Sequence, residues 1–298
     1  MKDCVTPVFE PVSLERQDEY LERFARCPQK ASDYSFINIW GWAEEYGLQW
    51  HFGDSHVWLR QTRPHVVHWA PVGPWNDVDW TRCPVIGCCG AFTRVPEALA
   101  VLWQQALGPR VELAEARGHW DYLYSVPELT ALSGNRFHKK KNLLNQFVRN
   151  YDHNYHTMTP DCVEAALQMQ LDWFRWRDAE SQELLGAENN AIRRVLQSWD
   201  SLRGVFGGVI EVEGQRAAYT VAEHLCERTV VIHFEKAHTR YKGIYQAINQ
   251  MFLEHEAGGY ELVNREQDLG DPGLRKAKES YNPVDYLKKF EVTVRPAG

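Results

Sequence analysis

Residues 229–259, TVVIHFEKAHTRYKGIYQAINQMFLEHEAGG, constrain the fold more than any other stretch of the chain. They open with an apolar, β-branched run, which reads as a strand. A basic turn with one glycine follows, and then an amphipathic repeat that stops at Gly258 and Gly259. That repeat is the pattern of a helix with a glycine end. A strand feeding directly into an amphipathic helix needs a sheet with a covering helix. Alternation along the strand places Val231, His233 and Glu235 on one face, and Ile232, Phe234 and Lys236 on the other.

The same style recurs on both sides of this segment. SLERQDEYLERFARC, from Ser13, and SDYSFINIWGWAEEYG, stopped by Gly47, read as helices. LQWHF and HVWLRQ form a hairpin about Gly53–Asp54, HVVHWAPV is a further strand, and VPEALAVLWQQALG is a helix ending at Gly108. VELAEARGHWDYLYSV adds strand material. A long helix is expected from Asp161 to Trp176, and another over ENNAIRRVLQSWDSL. GGVIEVEGQRAAYTVAEHL gives two strands, and YELVNRE one more. The fold class is therefore α+β, with two units of similar element order expected at 1–130 and 131–298.

No apolar run approaches the roughly 20 residues of a membrane helix. The first twenty residues lack the apolar core of a signal peptide, and a cytoplasmic location is expected. The chain has seven cysteines and no Cys-x-x-Cys pair. Cys83, Cys88 and Cys89 lie just beyond His65 and His68, where buried, reduced thiols are expected rather than a metal site.

The chain is acidic overall, with a formal net charge of -7, yet SGNRFHKKKNLLNQFVRNY, Ser133 to Tyr151, contains no acid. Phe137, Leu144, Val148 and Tyr151 share one helical face, with Phe147 at its edge. Lys140 and Lys141 flank that face, and Lys139 projects away. Ser133 or Asn135 is the expected cap. Lysines in a first helical turn face the positive end of the helix dipole, which costs up to about 1 kcal/mol per charge. The cluster is better suited to an anion site than to stability alone. His138, Lys139, Lys140, Lys141 and Asn142 are accordingly expected to contact an anionic substrate.

In the turn after the long strand, Arg240-x-x-Gly243-x-Tyr245 offers a close backbone approach and unpaired helix N–H groups. The spacing resembles the loop by which GCN5-related N-acyltransferases hold the pyrophosphate of coenzyme A. Arg240, Lys242, Gly243 and Tyr245 are therefore expected to bind a donor phosphate.

The densest polar stretch is YELVNREQDLGDPGLRKAKESYNP. On its strand Asn264 and Glu266 share a face and Arg265 takes the other. Gln267 and Asp268 follow at the strand end. Asp271 caps a short helix with Pro272 in its first turn. On that helix Arg275 and Lys278 share a face. Acyl transfer to an amine needs a proton acceptor, and Glu223, Glu235 and Glu266 stand near strand ends to supply one. Tyr281 is the expected acid. His233, Asn264, Asp268, Arg275 and Lys278 complete the expected substrate contacts. No Gly-x-Ser-x-Gly elbow is present.

LSGNRFHKKKNLLNQF, VIHFEKA, YQAINQMF and VNREQDLGDPGLRKAKESYNPV together resemble the phosphatidylglycerol lysyltransferase C-terminal-like family, a domain of unknown function. DYSFINIWGW and WAPVG resemble its soluble bacterial members. The resemblance implies two tandem GCN5-related acyltransferase folds, each a mixed, mostly antiparallel sheet flanked by helices and akin to the Fem peptidyltransferases. It implies aminoacyl-tRNA as donor and an amine or hydroxyl as acceptor, on a lipid, a peptide or a small molecule. In the lipid-modifying relatives membrane helices precede this domain; no such helix is expected in this sequence, which argues against a phospholipid acceptor. Lys140-Lys141-Asn142 stands where many relatives have Lys-Arg-Asn. Lys288 or Lys289 is expected to stabilise the oxyanion. Two alternatives remain: a coenzyme A-dependent N-acyltransferase using acetyl-CoA, and a non-catalytic protein of this fold that binds a nucleotide or other anion.

Overall fold

The computed structural model of the chain describes residues 7–76, 78–175 and 179–296, without the side chains of Cys88 and 172–185. Part of the amino-terminal reading, the expected helix end at Trp176, and Cys88 of the Cys/His group lie outside the described residues. The strands are β1 Glu10–Pro11, β2 Gln49–Phe52, β3 Val57–Gln61, β4 Val67–Trp69, β5 Ala91–Pro96, β6 Val111–Glu115 and β7 Asp121–Ser125. They continue as β8 His153–Thr157, β9 Val205–Val212, β10 Gln215–Cys226, β11 Thr229–Ala237, β12 Leu262–Asn264, β13 Asp285–Leu287 and β14 Lys289–Val294. The helices are α1 Gln17–Ala25, α2 Phe36–Tyr46, α3 Pro84–Cys88, α4 Glu97–Leu107, α5 Val126–Ala131 and α6 His138–Asn150. After them come α7 Pro160–Arg175, α8 Ala179–Gln197, α9 Ile244–Glu256 and α10 Pro272–Glu279. Among the described residues, no helix is long and apolar enough to cross a membrane.

Two compact units result. The first comprises Met1–Asp121, Gln267–Asp271 and Leu287–Gly298; the second, Tyr122–Glu266 and Pro272–Tyr286. Each contains one mixed, mostly antiparallel sheet of seven strands, as the sequence predicts for the fold class.

In the first unit the sheet order is β1-β2-β3-β4-β5-β14-β6, with β4 and β5 parallel. The hairpin turn between β2 and β3 falls where Gly53–Asp54 places it. Ser35 caps α2 by accepting from the Asn38 amide, and Gly47 ends it in the left-handed region at φ 55°. The core is aromatic: Tyr20, Phe36, Trp50, Phe92 and Trp103 are all fully buried. Among the thiols, Cys89 Sγ lies 3.4 Å from His68 Nε2. Burial raises the Cys89 thiol to about 11 and lowers the His68 ring to about 4, so both are neutral at pH 7.

A charge cluster lies inside this unit. Lys289 Nζ donates to Asp33 and, at 2.6 Å, to Asp121, while Arg94 also donates to Asp33. Burial opposes the charge on Asp33, but Lys289 and Arg94 outweigh it and hold the carboxyl well below the usual range. Lys289 is 0% exposed, so its ammonium cannot meet a substrate oxyanion as expected. Its charge is spent on two buried aspartates. Lys288 is partly exposed and pairs with Glu97 at 3.8 Å. Asp268, expected at the substrate, is also fully buried, bonded to Arg117 at 3.1 Å and to the Gly270 amide at 2.8 Å.

In the second unit the order is β13-β7-β12-β11-β10-β9-β8, with β11 and β12 parallel. α9 covers one face. Phe252 and Leu253 pack with Val230 and Ile232, and Ile244, Ala247 and Ile248 with Ala218 and Ala237. Burying each such aliphatic or aromatic side chain contributes about 1.5–3 kcal/mol. α6 lies beside α9 and buries Phe147 completely, whereas Val148 is 49% exposed. The apolar stripe of α6 is thus centred on Phe147, one position from the sequence expectation. Neither Ser133 nor Asn135 caps α6; a 3-10 turn, Asn135–Phe137, leads into it.

Two departures in this unit shape the site. Val221 pairs with Phe234 but Ala222 pairs with Ile232, which leaves His233 as the extra residue of a β-bulge. The alternation expected across His233 is therefore broken: Glu235 lies on the α9 side with Ile232, away from His233. The second departure is Gly243, at φ 90°. A Cβ there would stand 2.1 Å from the Leu143 carbonyl oxygen and 3.2 Å from Phe147 Cβ. The close approach that this glycine permits is to the backbone of α6, not to a ligand.

Candidate functional site

The second unit gathers most of the residues singled out in the sequence into two clusters. Their separation follows from the bulge at His233 in β11, and from Arg265 and Glu266 taking opposite faces just beyond β12.

The first cluster is built on the bulge. His233 Nδ1 lies 2.8 Å from Glu266 Oε1, and Nε2 lies 3.1 Å from Glu223 Oε1. Burial disfavours the charged ring, but bonds to Glu223 and Glu266 more than compensate and raise it to about 9. At neutral pH His233 is an imidazolium donating from both nitrogens. Glu266 is held in the left-handed region, φ 58°, with its amide bonded to Asn264 Oδ1 at 2.8 Å. Asn264 is fully buried, so it positions Glu266 from within the sheet.

The second cluster is on the α9 side. Glu235 accepts from Arg265 Nη2 at 3.0 Å and from Asn249 Nδ2 at 3.0 Å. The Arg265 guanidinium stacks on Tyr281, 4.8 Å from the ring centre. Gln246 Nε2 donates to the Tyr281 hydroxyl at 3.1 Å. Burial raises the Tyr281 phenol above its usual value; Arg265 opposes that and Glu235 adds to it. Lys140 completes the group. Its ammonium lies 3.8 Å from the centre of the Tyr281 ring and donates to Ser280 Oγ at 2.7 Å. Burial and then Arg265 lower it to about 8. Next to Glu235 across the ladder stands Thr220, whose hydroxyl is buried and has no partner among the described residues.

The lysine island is thus not uniform. Lys140 turns inward onto Tyr281, while His138, Lys139, Lys141 and Asn142 are exposed on the same helical start. Lys141, expected beside Lys140 on the apolar face, is turned to solvent. From α10, Lys278 donates to the Arg265 carbonyl oxygen. Arg275 is partly exposed on the same helix. Arg240 bonds Gln215 Oε1 at 2.8 Å and the neighbouring Tyr241 hydroxyl at 2.6 Å, Lys242 is exposed, and Tyr245 packs against the α9 core. With Gly243 committed to α6, these residues form a packed strand–turn–helix corner.

Four contributors were not singled out in the sequence: Arg265 as the centre of the second cluster, Asn249, Gln246 and Thr220. The signal for Arg265 was its place between Asn264 and Glu266. Nothing local marks Gln246 or Asn249, which read as ordinary polar positions of an amphipathic helix.

Comparison with known proteins gives a consistent picture. The sequence profile of the phosphatidylglycerol lysyltransferase C-terminal family matches residues 24–293. A conserved protein of unknown function from Bacteroides thetaiotaomicron is 28% identical, with a TM-score of 0.89 over 97% of this chain and 100% of that one. L-PGS from Bacillus licheniformis has a TM-score of 0.67 at 12% identity, over 98% of this chain and 95% of that one. FemX has a TM-score of 0.58 at 8% identity, over 95% and 96% of the two chains. At the latter two identities the likeness shows the fold alone, the two mixed, mostly antiparallel sheets flanked by helices that the sequence leads one to expect. An uncharacterized protein of Mycoplasmoides gallisepticum is 24% identical over 178 residues, 58% of this chain and 56% of that protein. The chain thus matches little more than half the length of that curated relative.

Proposed function

Because the chain belongs to the phosphatidylglycerol lysyltransferase C-terminal family, we propose that it is an aminoacyl transferase whose second unit carries the reacting groups. The donor in this reading is an aminoacyl ester of tRNA, and the acceptor an amine or hydroxyl. The observation that carries it is the convergence of Lys140 and Arg265 on Tyr281, beside the Glu235 carboxylate.

Such a transfer makes three demands. The donor is a polyanion, and Lys139 and Lys141 at the start of α6 attract its phosphates from solvent. A carboxylate must accept the proton that the acceptor loses on attack. Glu235 is favoured over Glu266, because it shares Arg265 with Tyr281 and Lys140, whereas Glu266 is committed to the His233 imidazolium. Positive charge must oppose the oxyanion that forms at the ester carbonyl, and Arg265 and Lys140 provide it in a partly desolvated setting. Glu223 and His233 hold Glu266 and the bulge in place and take no proton in this scheme.

Filter binding of charged tRNA across a salt series tests the reading. The protein should retain charged tRNA at low salt and release it as salt rises. The Lys139→Ala and Lys141→Ala variants should each reduce the salt slope by about one. Binding that is absent, or indifferent to salt, would sink it.

A further inference from the structure

The transfer leaves one role unassigned. As the ester C–O bond breaks, the departing oxygen must gain a proton. Tyr281 is the donor expected from sequence, but Lys140 stands on its ring. We infer that Lys140, and not Tyr281, is the general acid of this site, passing a proton from Nζ to the leaving oxygen. This rests on the transferase reading above.

The geometry separates the two candidates. The Tyr281 side chain is buried, at 7% exposure, with its hydroxyl oxygen accepting from Gln246 Nε2 inside the cluster. Lys140 is half-buried and reaches the cluster from the first turn of α6. An ammonium has three N–H groups. One is directed by Ser280 Oγ, whose own hydrogen goes to the Ala277 carbonyl oxygen at 2.6 Å, so that Oγ is oriented to accept from Nζ. The ring of Tyr281 supports the ammonium from below and leaves the remaining N–H groups to other partners.

Acidity separates them further. A general acid works best with its pKa near the operating pH. Burial raises the Tyr281 phenol above its usual value, and losing its proton would place a phenolate close to Glu235. Lys140 is lowered to about 8 by burial and by Arg265. It is still mainly protonated at pH 7, yet is the stronger acid of the two. Giving up the proton relieves both causes of the shift. The charged and titratable groups around it are Arg265 and Tyr281, with Glu235 and Lys278 bonded to Arg265; its own helix adds the exposed His138, Lys139 and Lys141 near it and Arg149 in its last turn.

The step balances. The acceptor nitrogen bonds to the ester carbonyl carbon and its surplus proton passes to Glu235. The C–O bond breaks and the leaving ribose oxygen takes a proton from Lys140. Glu235 then returns its proton to solvent and Lys140 takes one up, so that ester and amine become amide and alcohol.

Two measurements on the full chain test the inference. In the first, kcat for loss of label from charged tRNA is followed against pH in wild type and Lys140→Arg. Arginine keeps the cation but cannot serve as acid. The variant should bind charged tRNA like wild type, lose about a hundredfold or more in kcat, and lose the alkaline limb that wild type shows near pH 8. In the second, pulse acetylation with acetic anhydride reads Lys140 directly, without activity. Its reaction should be half-maximal near pH 8; a midpoint near the ordinary lysine value of about 10 contradicts the inference. A Lys140→Arg protein that transfers at the wild-type rate overturns it and leaves the transferase reading intact. A wild type that neither binds nor discharges charged tRNA overturns both.

Discussion

Arg265 Nη2 lies 3.0 Å from Glu235 Oε1, and this ion pair connects the two parallel strands at the centre of the second unit. The pair is largely enclosed, with side-chain exposures of 15% and 9%. It sets the geometry of the proposed site, because Arg265 also carries Tyr281, and Tyr281 carries Lys140.

Glu235→Gln keeps the shape and an acceptor oxygen but removes the charge. Unfolding by urea should show a loss of about 1–3 kcal/mol, the worth of a hydrogen bond to a charged group in a buried setting. Transfer from charged tRNA should fall by about a hundredfold or more while binding is kept. Equal losses of binding and turnover would indicate that Glu235 is only a scaffold.

The His233 ring has a folded-state value of about 9 against 6.5 in the unfolded chain. Since the folded value is the higher one, its stabilisation is fully present below pH 6.5 and is lost as pH rises through about 9. That contribution is on the order of 3 kcal/mol. Urea melts at pH 6 and pH 9.5 should therefore differ for wild type, and the difference should shrink in His233→Gln. A variant with the wild-type pH dependence would show that another group is responsible.

Lys289→Met removes the cation between Asp33 and Asp121 and leaves two buried carboxylates, Asp33 paired with Arg94 and Asp121 held by hydrogen bonds from Ser32 and Gln267. The cost should be about 3–5 kcal/mol, the typical penalty for an uncompensated buried charge. Calorimetry should show early melting of the first unit. A variant with wild-type stability that has lost turnover would restore the catalytic role suggested by the sequence.

Gly243→Ala places a methyl group against the Leu143 carbonyl oxygen in a backbone region that alanine avoids. We expect a loss of about 2 kcal/mol or more in stability, together with loosened packing of α6 on α9. If the glycine served a bound phosphate instead, the variant would keep its melting temperature and lose only ligand affinity.

Much of the fold was legible because its signals are local. Gly47, Gly108 and Gly258 stop helices where expected, and the period-2 runs that frame Gly53–Asp54 became paired strands. The site was legible only as a set of candidates. Counting alternate residues along β11 could not reveal that His233 is a bulge, and so joined Glu235 to the wrong cluster. Three adjacent lysines look alike in sequence; only the position of Tyr281, far along the chain, selects Lys140. Gly243 announced a close approach but not what approaches. Lys289 finds Asp33 across 256 positions, a pairing that arises because β14 inserts between β5 and β6, and no local pattern encodes that insertion.

The most direct test of the central claim is a discharge assay. Labelled charged tRNA is mixed with purified protein and a cell extract as acceptor source, and acid-precipitable label is followed with wild type and Glu235→Gln in parallel. Wild type should move label rapidly from tRNA into product, and Glu235→Gln should do so at or near the rate of extract alone. A wild-type rate no faster than extract alone, or a Glu235→Gln protein as fast as wild type, would contradict it.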